Sequence, residues 1–136
     1  MVTLRPHRQL TLEVAADFGG LGALRDQLGR WLQETEVTPT ASADLLLVAT
    51  ELCTNAIEAT PPDVPVEVRV SNDGTALRLT VANHRPVDSV EVEPDVLQPG
   101  SLQERGRGLA IVRSLVDTFV MTSDDDRTVV RAMRLL

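Results

Sequence analysis

The chain has 136 residues, 43% of them hydrophobic, which is room for one domain with a real core. Twenty acidic residues against 13 basic ones, all arginine, leave a net charge of −7, so a grip on the phosphate backbone of nucleic acid, which needs clustered cations, is not expected. The single Cys53 has no partner for an internal disulfide. No signal-peptide run and no stretch near the roughly 18 apolar residues of a membrane span occur, so a soluble cytoplasmic protein without a membrane partner is expected.

In chain order, residues 8–14 (RQLTLEV) alternate as a strand does, and Leu21, Leu24, Leu28, Trp31 and Leu32 then recur at helical spacing. Thr35 to Thr40, broken by Pro39, reads as a connection. A second helix is predicted from about Ser42 to Ala59, stopped by Pro61 and Pro62. Residues 66–70 (VEVRV) and 76–83 (ALRLTVAN) flank SNDGT, whose Asp73-Gly74 pair signals a hairpin. Residues 84–104 carry Pro86, Pro94, Pro99 and Gly100 and show no period, and a segment of this kind is often a lid. A third helix is predicted over about Arg107 to Thr118, followed by the strands FVMTS and TVVRAMRL around DDDR. The order of elements predicts a layered α/β sandwich, with three helices on one face of a mixed, mainly antiparallel sheet.

Two stretches carry chemistry. On the second helix, Leu45, Leu46, Ala49, Leu52, Cys53, Ala56 and Ile57 fall on one side, while Asp44, Glu51, Asn55 and Glu58 fall on the other, taking 100° per residue. Glu51 and Asn55 thus stand one turn apart and point together. The second stretch is ERGRGLAIV at 104–112, where glycines open directly into a helix whose free N–H groups can hold an anion. His7 and His84 have no second ligand at metal spacing and receive no catalytic or zinc role.

ELCTNAI resembles the N-box, and ERGRGLAIVRSLVD the second glycine box, of the Bergerat-fold, GHKL-type ATP-binding domains of histidine kinases, gyrase and Hsp90. Within that superfamily the short length and the T-N-A-I after the glutamate most resemble the anti-sigma factor serine/threonine kinases, which switch partners with anti-anti-sigma proteins. The similarity of element order runs from about Gln9 to Leu135.

The resemblance implies ATP and Mg²⁺ as ligands. It implies Asn55 as the metal ligand through its side-chain oxygen, and Glu51 as the catalytic group that activates the attacking hydroxyl. Arg105, Gly106, Gly108 and Leu109 match the end of the lid and the start of the following helix, with the lid itself at 88–105. Thr128 matches a threonine near the adenine. In place of the family's aspartate, which accepts a bond from the adenine amino group, this chain has Asn83; the usual glycines after it are missing, and Asp88 is a substitute further along in poor register.

Three functions follow. The first is a single-domain kinase that phosphorylates an anti-anti-sigma partner and otherwise holds a sigma factor, a transcription regulator for which a homodimer is allowed. The second is a non-catalytic Bergerat-type module that sequesters a sigma factor or other regulator with weak nucleotide binding, which Asn83 favours. The third is a histidine-kinase-like catalytic domain, against which the absence of a phosphoacceptor helix in the sequence counts.

Overall fold

The computed structural model describes residues 8–61, 63–84, 102–123 and 126–136, with Phe18 and residues 102–107 described in backbone only. Eight elements run in the order β1 (Arg8–Val14), α1 (Phe18–Glu34), α2 (Pro39–Ala59), β2 (Val66–Asn72), β3 (Ala76–His84), α3 (Leu102–Leu115), β4 (Thr118–Ser123) and β5 (Arg127–Leu135). The sheet order is β1-β2-β3-β5-β4, and all four pairings are antiparallel, where a mixed, mainly antiparallel sheet was expected.

The hairpin between β2 and β3 sets the register of the sheet's centre. Gly74 takes φ +90°, a conformation that costs glycine little, and its N–H donates to Asn72 Oδ1 at 2.8 Å. Asp73 Oδ1 accepts from the Thr75 N–H (2.9 Å), the Thr75 hydroxyl (2.7 Å) and the Ala76 N–H (3.0 Å), while Arg78 donates to Oδ2. These donors, the Thr75 hydroxyl first, hold the Asp73 carboxyl well below the usual carboxylate range. The ionised turn is therefore favoured above the ordinary carboxylate pKa, and this support is lost as pH falls through the lower folded-state value. With Asn72 opposite Leu77, the residues Leu77, Leu79, Val81 and Asn83 of β3 all face the helices.

Against that face packs one core. Leu28 and Leu32 of α1, Val48, Ala49 and Cys53 of α2, Val66 and Val68 of β2, Leu77 and Leu79 of β3, and Val112 of α3 are wholly enclosed. Helix α2 lies in the middle, in contact with α1, α3 and strands β2, β3 and β5. The half-buried pair of Arg134 and Asp44, at 3.0 Å, ties the start of α2 to β5, so Asp44 is held by the sheet and does not stand free on a solvated face.

Three boundaries differ from the sequence reading. Pro39 does not break a connection; it occupies the first turn of α2, where its missing N–H costs nothing, and Thr38 caps the helix by accepting from the Ala41 N–H at 3.3 Å. Helix α3 begins at Leu102 instead of near Arg107, because no proline follows Pro99 and Gln103, Glu104 and Arg105 are good helix formers. It ends at Leu115, and Thr118 opens β4.

Helix α1 begins at the Asp17 cap, whose Oδ1 accepts from the Gly20 N–H at 2.9 Å. A Cβ on Gly20 would lie 2.5 Å from the Ala15 carbonyl oxygen, a backbone atom that cannot swing aside, whereas a Cβ on Gly22 would meet nothing within 4 Å. Gly20→Ala should therefore cost about 1–3 kcal/mol as overpacking does. Gly22→Ala should stabilise by about 0.5–1 kcal/mol through helix propensity. Urea midpoints of the two variants test this, and equal stability would contradict the close approach at Gly20.

Candidate functional site

The apolar side of α2 fixes its polar side. Leu45, Val48, Ala49, Leu52, Cys53, Ala56 and Ile57 are buried at spacings of three and four, which leaves Glu51 and Asn55 together on a partly buried flank. No hydrogen bond from a described residue engages either side chain. Thr50 and Thr54 turn inward on their own helix, their hydroxyls donating to the carbonyls of Leu46 and Thr50 at 2.7 Å each, and so do not compete for Glu51 or Asn55.

Helix α3 meets this flank at a glycine. A Cβ built on Gly108 would sit 2.6 Å from Glu51 Oε2 and 3.5 Å from its carboxyl carbon, so the carboxylate lies against space that only a glycine leaves open. The two stretches singled out in the sequence are thus brought into direct contact. Leu109, the next residue, turns the other way into the core at 8% exposure beside enclosed Val112, so its side chain anchors α3.

The earlier start of α3 changes the anion-holding end of this helix. Gly106 and Gly108 lie inside the helical ladder, and the unpaired N–H groups of a helix belong to its first turn, which here begins at Leu102. Arg105 is in that first turn in backbone. Its side chain lies outside the described residues, as do residues 88–101 of the expected lid and Asp88; residues 102–105 of the expected lid are helical.

At the end of the sheet, Asn83 of β3 stands directly opposite Thr128 of β5, which is itself opposite Ser123 of β4. The Thr128 and Ser123 hydroxyls lie 3.4 Å apart. Asn83 is 6% exposed, and its Nδ2 is buried without a hydrogen-bond partner among the described residues. Leaving such a donor unmet costs about 1–3 kcal/mol, so the position is either strained or made for a ligand. His84, the next residue, is exposed on the opposite face. That face is otherwise spanned by the Arg127–Glu67 ion pair at 2.6 Å, which register places over Ala82.

The sequence reading did not anticipate two features of the site. The Glu51–Gly108 approach joins residues 57 apart in the chain, and the burial of the Asn83 amide arises from strand register. Cys53, two residues from Glu51, is enclosed on the core side, as its place on the apolar side of α2 implies, and this burial pushes its thiol up to about 12. Among the described residues no group of three His, Cys, Asp or Glu side chains gathers to hold a metal.

Comparison with known proteins agrees with this fold. The fold is similar to the solved RsbU and RsbW domains of Rv1364c from Mycobacterium tuberculosis, with a TM-score of 0.71 and 21% identity over 94% of this chain, which spans 32% of that longer chain. It is also similar to a chain of the SiaB–SiaC complex from Pseudomonas aeruginosa, with a TM-score of 0.64 and 14% identity, over 91% of this chain and 88% of the other. No curated protein matches significantly. The family model for the histidine kinase-like ATPase domain matches residues 14–134, nearly the whole chain, and the protein belongs to that family.

Proposed function

We propose that the protein is an ATP-dependent serine/threonine kinase that acts on an anti-anti-sigma partner and otherwise restrains a sigma factor. The observation that carries this reading is the Glu51 carboxylate lying against Gly108, one turn from Asn55. That contact and the helical spacing bring together a carboxylate, a carboxamide oxygen and a side-chain-free helix surface, the groups this reading needs. The fold's likeness to an RsbW domain solved beside RsbU, and to a chain solved in the SiaB–SiaC complex, supports the partner-switching part.

The residues present fit a nucleotide and its metal. The Asn83 amide is buried and unmatched, and Asn55 has an oxygen not committed to a described residue. Asn55 would hold Mg²⁺ together with phosphate oxygens and water, a hard-ligand set that needs no cluster of protein carboxylates. When bound, ATP would supply the phosphoryl group and the cation would offset charge on its phosphates. Glu51 would accept the proton of a partner serine or threonine hydroxyl as that oxygen takes the phosphoryl group, leaving a phosphoester and ADP. Gly108 lets the carboxylate sit close to the helix and keeps it aimed.

Labelled ATP incubated with serine-bearing anti-anti-sigma candidates tests the reading. Glu51→Ala should retain Mg·ATP and lose transfer by about 10²–10⁴, the usual share of a general base. Transfer at the parental rate would remove Glu51 from catalysis. Tight association with a partner but no transfer by the parent would instead favour a sequestering module. In titration calorimetry, Asn55→Ala should weaken Mg·ATP far more than metal-free ATP, and equal binding of Mg·ATP by both proteins would refute the metal role.

Gly108→Ala separates geometry from stability. The new methyl collides only with the end of a flexible side chain, so Glu51 swings away and stability changes by no more than about 1 kcal/mol, helped by the better helix propensity of alanine. Transfer should nevertheless fall at least tenfold. A variant both as stable and as active as the parent would show that the carboxylate's position is immaterial.

A further inference from the structure

We infer that a purine base set against Asn83 is accepted in 6-oxo as well as 6-amino form, so that the protein takes GTP alongside ATP. The inference rests on the nucleotide reading above and concerns the same site. Its ground is the polar set at this end of the sheet. Asn83 is more than nine-tenths buried with Nδ2 unpartnered among the described residues, and its cross-strand neighbour Thr128 shares a hydroxyl contact of 3.4 Å with Ser123 in which either oxygen can donate. Each of these three groups both donates and accepts, and none of them carries a fixed charge.

The chemistry of selection follows from that. Adenine offers an N6–H donor beside the N1 acceptor, and guanine offers the O6 acceptor beside an N1–H donor. A carboxylate has acceptors only, so it welcomes the first edge and repels the O6 of the second. A carboxamide meets the adenine edge with Oδ1 accepting from N6 and Nδ2 donating to N1. Turned by 180° about its last torsion, it meets the guanine edge with Nδ2 donating to O6 and Oδ1 accepting from N1–H. The two orientations place nearly the same volume in the same space. An amide held by a network of the fold would resist that turn. Among the described residues the Asn83 Nδ2 has no hydrogen bond to lose, so the ligand decides the orientation.

Calorimetric titration of the full chain with Mg·ATP and Mg·GTP tests this, with Asn83→Asp as the selective variant. The parent should bind the two within about tenfold of each other, as expected where no contact rejects either edge. Asn83→Asp should keep or tighten ATP and weaken GTP, moving the ratio at least tenfold toward ATP. Because a buried carboxylate can unfold the variant, a second measurement is made on the parent: the Asn83 side-chain NH₂ resonances, assigned by their loss in Asn83→Gln or Asn83→Asp spectra, should shift with each nucleotide. A parent that binds ATP but excludes GTP more than 100-fold overturns this inference and leaves the nucleotide reading intact. Binding of both with unmoved Asn83 NH₂ signals also overturns it. Binding of neither removes both readings.

Discussion

The burial of one side of α2 is the constraint on which the rest depends. A helix whose residues at positions 41, 45, 48, 49, 52, 53, 56 and 57 are all buried has a single rotational setting, since each large aliphatic side chain turned into water forfeits about 1.5–3 kcal/mol. The Arg134–Asp44 pair pins the start of the helix to the sheet in addition. Glu51 and Asn55 therefore inherit their direction from residues that do no chemistry. Among the described residues no hydrogen bond ties down either side chain, which leaves the carboxylate and the amide available for the roles proposed for them.

Strand alternation does for the sheet what helical rotation does for α2. Along β3 the helix-facing row runs Leu77, Leu79, Val81 and then Asn83, so the apolar row passes into a polar group without leaving the buried face. A register slip of one residue would expose that amide and bury Arg78 and Thr80 instead. The turn at Asn72–Gly74, with Asp73 gathering four donors, is what prevents the slip. The polar end of the site is thus set by a hairpin at the far end of the same strand.

Much of this was legible in the sequence, for identifiable reasons. The period of the apolar residues gave α2 and its polar pair, and Asp73-Gly74 gave the hairpin, because both are local rules in which near neighbours decide the outcome. Pro39 misled because proline ends a helix in its interior yet favours its first turn, and only the backbone distinguishes the two. Residues 102–105 read as the end of a lid because glycine and nearby prolines weaken a helix signal, although the stretch between them is made of helix formers. The contact of Glu51 with Gly108 and the orphaned Nδ2 of Asn83 are products of packing between distant segments, and no local pattern encodes them. The same holds for Asp44, which falls on the polar side of the helical wheel and whose partner comes from β5.

The enclosure of Cys53 has a practical consequence. It is the chain's one thiol, and with its pKa pushed up to about 12 and no exposed surface it presents almost no thiolate to a reagent at neutral pH. A cysteine introduced on an exposed position would therefore be the sole reactive sulfur, and maleimide dyes or spin labels would attach there without first replacing the native residue. The absence of lysine removes the commonest competing amines as well. Distances between α3 and the sheet are thus open to measurement in the native sequence background.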